Sequence, residues 1–208
     1  GLATLDVCLL HNPEYFLSHA TRLGAGEQRE LSTLRDEFYA RLQLAFEYCE
    51  RQVEAGRLRG YGVSSNTSTA SPDEPGATSL SRMIEAAKAA AKNVGAAAHH
   101  FTVLQCPMNV HESGAALIKN TGPDNGSTLL DEALREGVAV LVNRPLNAMP
   151  AQRGGVVRLA DVPVPAPEAD FETQRQKVAL LEEEYRKDLA PAVAHSGQGM
   201  LPADFFRW

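Results

Sequence analysis

The stretch LDVCLLHNPE, Leu5 to Glu14, decides how the rest of the chain is read. It is an apolar run that ends abruptly in a histidine, an asparagine and a proline. Leu5, Val7, Cys8, Leu9 and Leu10 suit a strand buried on both faces, as in a parallel sheet covered by helices. His11 then falls at the carboxyl end of that strand, the rim where α/β proteins bind ligands and collect catalytic side chains. Pro13 stops the strand and pushes Asn12 towards an extended conformation. Taken alone, His11 could equally cap backbone groups at a strand end.

Working outward, Tyr15 to Glu27 reads as a polar connector. A helix follows from about Arg29 to Glu54, because Leu31, Leu34, Phe38, Leu42, Ala45, Cys49 and Val53 recur at steps of three or four. Gly56 is placed to end it. A short strand, about Arg59 to Ser64, has little apolar content and is inferred mainly from its position. Thr67 to Thr78 is a loop. SLSRMIEAAKAAAKN, from Ser79, is strongly helical, with Leu80, Met83, Ile84 and Ala87 on one face and Gly95 as its stop. Phe101 to Asn109 is a third strand. Ser127 can cap a short helix that Gly137 ends, and Val138 to Leu146 is a fourth strand.

Strands alternating with helices imply a parallel sheet with right-handed crossovers. Beyond Leu146 the texture changes. A long loop, Ala148 to Pro167, has a small hairpin or extended piece around Gly155 to Val162. A charged helix follows from Phe171 to Leu189, with Val178, Leu181, Tyr185 and Leu189 on one face and Glu182 to Glu184 solvated. The whole of 1–208 reads as one partial domain, with a motif-bearing core over 1–146 and a loop and helical extension over 147–208.

The bulk properties narrow the class. Of 208 residues, 44% are hydrophobic and 22% charged, and the formal net charge is -6. No basic stripe suits nucleic acid, and no apolar run reaches the ~20 residues of a membrane helix. Cys8, Cys49 and Cys106 are far apart in apolar surroundings and read as reduced core thiols of a cytoplasmic protein. No secretory signal is expected. The start at Gly1, almost inside a strand, suggests a piece of a longer protein.

Several standard sites have little support. His99 and His100 have no carboxylate or cysteine at ligand spacing. No GxSxG elbow is present. GYGVSS, Gly60 to Ser65, only faintly follows a phosphate-binding glycine loop, since its glycines sit in the strand and no helix follows at once. Arg144 could contact a phosphate or carboxylate, or form a surface ion pair.

Together the strand ends resemble the aldo-keto reductases. LDVCLLHNPE looks like the strand that leads to that family's catalytic histidine. VEAGRLRGYGVSSN, VLQCPMN and VAVLVNRPL are similar to the strands that follow, in the family's order and over Leu5 to Leu146, roughly two thirds of the chain. The resemblance implies an α/β fold forming part of a (β/α)8 TIM barrel, and NAD(P)H-dependent reduction of aldehydes or ketones to alcohols, or the reverse. It implies NADPH as cofactor, NADH not being excluded, and a small carbonyl or sugar-like substrate.

His11 then takes the histidine's role, orienting the substrate carbonyl or aiding proton transfer. Ser64, Ser65 and Asn66 would hold the nicotinamide carboxamide, with the asparagine one place later than in the family. Gln105 would bond the same amide, and Asn143, Arg144, Pro145 and Leu146 would flank the ring and pyrophosphate. Arg144 stands where the family often has an aromatic residue or serine. The family's aspartate, tyrosine and lysine lie on strands before the histidine strand, so this segment is expected to be inactive alone. Two other readings remain open: a non-catalytic member that binds nucleotide or regulates, and an unrelated doubly wound nucleotide-binding domain.

Overall fold

The least apolar strand of the sequence lies at the centre of the fold, and the most apolar lies at its edge. The computed structural model describes residues 3–23, 30–149, 155–160 and 170–189. The chain divides into two compact units, Gly1–Asp161 and Val162–Trp208. In the first, β1 (Leu5–His11) is followed by α1 (Tyr15–Leu23), α2 (Leu31–Glu54), β2 (Leu58–Ser64), α3 (Leu80–Val94) and β3 (Phe101–Pro107). Then come a one-turn helix α4 (Gly114–Leu117), the paired β4 (Lys119–Thr121) and β5 (Ser127–Thr128), and α5 (Leu129–Glu136). The unit ends with β6 (Ala139–Asn143) and the antiparallel pair β7 (Asn147–Ala148) and β8 (Val157–Arg158). The second unit contains α6 (Phe171–Glu184) and a wider turn of helix, Tyr185–Leu189.

β1, β2, β3 and β6 form one parallel sheet in that order, each joined to the next through helix. Tyr61, Val63, Leu104 and Cys106 are almost wholly buried on one face, in a single core with Phe38 and Phe46 of α2 and Met83, Ile84 and Ala87 of α3. Phe46 lies 5.1 Å from Tyr61 and 5.5 Å from Phe101, ring centre to ring centre. Glu50 is buried beside them. It accepts hydrogen bonds from the Tyr61 hydroxyl at 2.7 Å and the His100 backbone N–H at 2.8 Å, and its other oxygen lies 2.7 Å from His100 Nδ1. A buried carboxylate survives in an apolar core only when its oxygens are met in this way.

On the other face Gly62 lies close against the backbone of Val103. A Cβ there would lie 1.8 Å from the Val103 carbonyl oxygen, so no side chain fits without moving backbone. The glycines that thin the apolar content of β2 are thus what lets it sit between two neighbours.

The structure corrects several expectations. β1 is not buried on both faces: Leu5 and Val7 are 49% and 41% exposed, and Asp6 and Cys8 are exposed too, because β1 is an edge strand. Cys8 is therefore not a core thiol, unlike Cys49 and Cys106. Tyr15–Leu23 is helical where a connector was expected. Asn12, Pro13 and Glu14 offer carbonyls to the backbone N–H groups of Tyr15, Phe16 and Leu17 and so wind its first turn. Asn12 itself is not extended. Its φ is +48°, a region asparagine tolerates better than most residues. Thr128, not Ser127, caps α5 by accepting from the Asp131 N–H, while Ser127 pairs with Thr121. β6 stops at Asn143, because Arg144 at φ +57° turns the chain before Leu146.

Other features match the sequence reading. Gly56, Gly95 and Gly137 follow their helices with positive φ. The extended piece expected near Gly155 includes β8, while residues 150–154 and 161–169 lie outside the described residues. The expected start of α2 at Arg29 also lies outside them. No described helix is long and apolar enough to cross a membrane.

Candidate functional site at the carboxyl ends of the sheet

Parallel register brings three polar side chains into one row. His11 of β1 stands opposite Ser64 of β2, Ser64 opposite Gln105 of β3, and Gln105 opposite Leu141 of β6. Residues in register point to the same side of a sheet, so His11, Ser64 and Gln105 share a face at the strands' carboxyl ends. The row one layer below, Leu9, Gly62, Val103 and Ala139, is apolar or bare. The Ser64 hydroxyl donates to Gln105 Oε1 at 2.7 Å. That bond fixes the amide so that its Nε2 faces the other way, and no described residue accepts from Nε2.

The turn after β1 is built on the turn after β2. Asn12 N–H donates to the Ser64 carbonyl at 2.8 Å, and Asn66 Nδ2 donates to Asn12 Oδ1 at 3.1 Å. Asn12 Nδ2 in turn donates to the Tyr15 hydroxyl at 3.1 Å. Glu14, 1% exposed, accepts from the Asn66 backbone N–H at 2.7 Å, while its Oε2 has no partner among the described residues. Burial pushes the Glu14 carboxyl above its ordinary value. The Asn66 N–H, with the polar groups of Glu14's own backbone and Ser65 and with His11 nearby, opposes that shift.

Ser65 faces the other way from Ser64, as strand alternation requires. Its hydroxyl lies 3.2 Å from Thr78 Oγ1 and accepts from the Thr67 N–H, so it braces the loop before α3. Of the expected Ser64, Ser65 and Asn66 group, only Ser64 joins the row. Asn66 holds the Asn12 turn.

At the end of β6, Asn143 stands opposite Pro107, two residues beyond the Gln105–Leu141 pair and so on the same face. Its Oδ1 is buried without a partner among the described residues. Arg144 turns away to meet Glu112 at 2.9 Å, both side chains being about one-fifth exposed. Asn109 ties this turn down, since its Nδ2 reaches Glu112 Oε2 at 2.8 Å and the carbonyls of Arg144 and Asn147 at 3.1 Å. Pro145 and Leu146 lie exposed in the turn.

A primary carboxamide needs one donor for its oxygen and one acceptor for its NH2. Gln105 Nε2 and Asn143 Oδ1 offer that pair on adjacent strands, so these residues fit such a group. His11 adds an exposed imidazole at the other end of the row. Sequence reasoning missed Asn12, Glu14, Asn109 and Glu112. The first two stand in the HNPE motif itself, where an asparagine before proline already signals a special turn. Asn109 and Glu112 bond each other locally, but their contacts to the turn after β6 reach more than thirty residues along the chain and leave no local signal.

His100 belongs elsewhere, since it precedes β3 at the opposite end of the sheet and bonds Glu50. Among the described residues, no group of three or more His, Cys, Asp or Glu is placed to hold a metal ion. No protein-family model matches this chain, and neither a curated protein nor a solved structure does.

Proposed function

We propose that this chain is part of an NAD(P)H-dependent oxidoreductase of the aldo-keto reductase type, converting aldehyde or ketone carbonyls to alcohols or the reverse. The observation that carries this reading is the in-register row His11–Ser64–Gln105 at the carboxyl ends of three consecutive parallel strands. On this reading the four strands are consecutive strands of a (β/α)8 barrel. The exposed apolar residues of β1 and β6, Leu5, Val7, Leu141 and Val142, support it, because an apolar edge strand is stable only when something pairs with it or covers it.

The nicotinamide cofactor would supply the hydride. Gln105 and Asn143 would grip its carboxamide, with Ser64 holding the Gln105 amide in the one orientation that presents Nε2. His11 would donate an imidazole N–H to the substrate carbonyl oxygen and so orient it for transfer. Arg144, held by Glu112, would border the site rather than grip phosphate directly.

The test is made in the complete enzyme that carries this segment. His11→Ala is expected to lower kcat by about a hundredfold or more while NADPH affinity stays within about twofold. Gln105→Leu is expected to do the opposite, weakening NADPH binding first. Equal losses of turnover and cofactor affinity in His11→Ala would sink the assignment.

A further inference from the structure

A second polar site lies behind the sheet rim, where α2, α3 and the loop 67–78 meet. Arg35, Tyr39, Pro72, Thr78, Arg82 and Asn120 border an open cleft of about 200 Å³ there. Its polar groups are incompletely paired. Asn120 is 3% exposed, and both hydrogens of its amide are spent on the carbonyls of Ser68 and Ala70, at 2.7 and 2.9 Å. That fixes its Oδ1 as an acceptor, and Oδ1 has no partner among the described residues.

Arg35 donates through Nη2 to the carbonyls of Pro72 and Glu74, while its Nε–H, also buried, meets no described acceptor. Tyr39, 7% exposed as a residue, accepts through its hydroxyl from the Ser79 N–H at 2.7 Å, and the hydroxyl proton has no described acceptor. Arg82 lies over the Tyr39 ring at 4.1 Å. Its guanidinium is 2.7 Å from Asp36, an exposed carboxylate that neutralises only part of the local positive charge. The amino end of α3, with Ser79 at its cap position, faces the same space and adds the positive end of a helix dipole.

Leaving a buried donor or acceptor unmet costs about 1–3 kcal/mol each, so such groups normally have a partner. A partner there would accept from Arg35 and Tyr39 and donate to Asn120, and a lining with two guanidiniums and no carboxylate favours one that carries negative charge. We propose that the cleft binds a small oxyanion that bears its own hydroxyl, the protonated phosphate group being the class that fits. The cleft is smaller than the ~300 Å³ at which drug-sized pockets begin, which limits the occupant to phosphate itself or a short phosphate monoester. This site does not depend on the reductase reading, and none of its lining residues belongs to the His11–Gln105 row.

The test uses the full chain and inorganic phosphate at pH about 6, where the free ion is mostly H2PO4− and a monoester holds its second proton about half the time. Titration is followed by NMR at the Asn120 side-chain amide and the Ser79 and Arg82 backbone amides. Saturable shifts are expected, with sulfate, which has no proton to donate, binding at least about fivefold more weakly. Arg82→Gln is the variant of choice, because Arg82 is 40% exposed whereas Arg35 and Asn120 hold loop carbonyls that folding needs. It is expected to weaken phosphate about fivefold, with partial recovery in Arg82→Lys.

Methyl phosphate binding as tightly as inorganic phosphate assigns the site to monoesters, and a preference for the inorganic ion assigns it to free phosphate. Either supports the proposal. No saturable shift, equal binding of sulfate, or an unchanged affinity in Arg82→Gln overturns it.

Discussion

β1 and β2 lie side by side and invert what their compositions suggest. Five of the seven residues of LDVCLLH are apolar, yet no residue of it is fully buried, and its first four are exposed. LRGYGVS holds an arginine, two glycines and a serine, yet all but Arg59 are buried. The difference is position in the sheet. β2 has a hydrogen-bonded neighbour on each side and α2 behind it, whereas among the described residues β1 has a strand on one side only. Hydrophobicity says which residues gain by burial, and neighbours decide which of them obtain it. Glycine, which counts as weak strand chemistry in isolation, is favoured where backbones crowd. The apolar content of β1 is then a demand that the described residues leave unmet.

The largest effect that would break this comparison is at the centre. Gly62→Val places atoms where the Val103 carbonyl stands, and is expected to cost about 4 kcal/mol or prevent folding, read from the urea midpoint. A tolerated valine would show that β2 is not clamped between its neighbours.

Next comes Glu50→Leu, which strands the Tyr61 hydroxyl and the His100 N–H in the core. A loss of about 2–3 kcal/mol is expected, against about 1 kcal/mol for Tyr61→Phe, which removes one bond and leaves the carboxylate its other partners.

Glu14 sharpens the comparison through pH. Burial raises its folded-state value above the ordinary 4.5, so the folded chain binds the proton more tightly than the unfolded chain. Its contribution is full below the unfolded value and is lost as pH rises through the folded one. Glu14→Gln can keep the acceptor for Asn66 without a charge to bury. Its stability relative to wild type should therefore rise across that window and then level off. A difference that stays flat with pH would remove the carboxylate from the account.

The cysteines report edge against centre directly. Burial pushes Cys49 and Cys106 up to about 11, whereas Cys8 is exposed on β1. A thiol reagent at pH about 8 should modify Cys8 at once and the other two only after unfolding. The smallest effect is at His11. His11→Ala should change stability by no more than about 0.5 kcal/mol, since the side chain is exposed at the sheet's end. A larger loss would give His11 a structural task.

Much of the fold was legible in the sequence because its signals are local. The α2 and α3 faces follow from apolar spacing, and Leu34, Phe38, Leu42, Leu80, Met83 and Ile84 are buried as that spacing requires. Gly56, Gly95 and Gly137 end helices because they alone take positive φ freely. The alternation of strand and helix gave the parallel sheet. Helix α1 escaped because its start depends on the unusual Asn12 turn. The Ser127 cap was misplaced by one residue because serine and threonine compete equally for that role until pairing with Thr121 takes Ser127 away.

At the candidate site, the sequence places His11 at a strand end through the apolar run before it, whereas Ser64, Gln105 and Asn143 come from the resemblance of the strand-end motifs. It could not separate Ser64 from Ser65, whose opposite orientations arise only once β2 has a register. It could not see Glu14 beneath Asn66, Glu112 on Arg144 or Asn120 on Ser68 and Ala70, because those pairings join segments distant in the chain. By itself the sequence determined helix faces, stops and strand ends, which depend on the shape and polarity of neighbouring residues. Tertiary structure alone decided which strand is central, which side chains share a row and which buried polar atoms lack partners. Those properties depend on what comes to lie beside a residue in space.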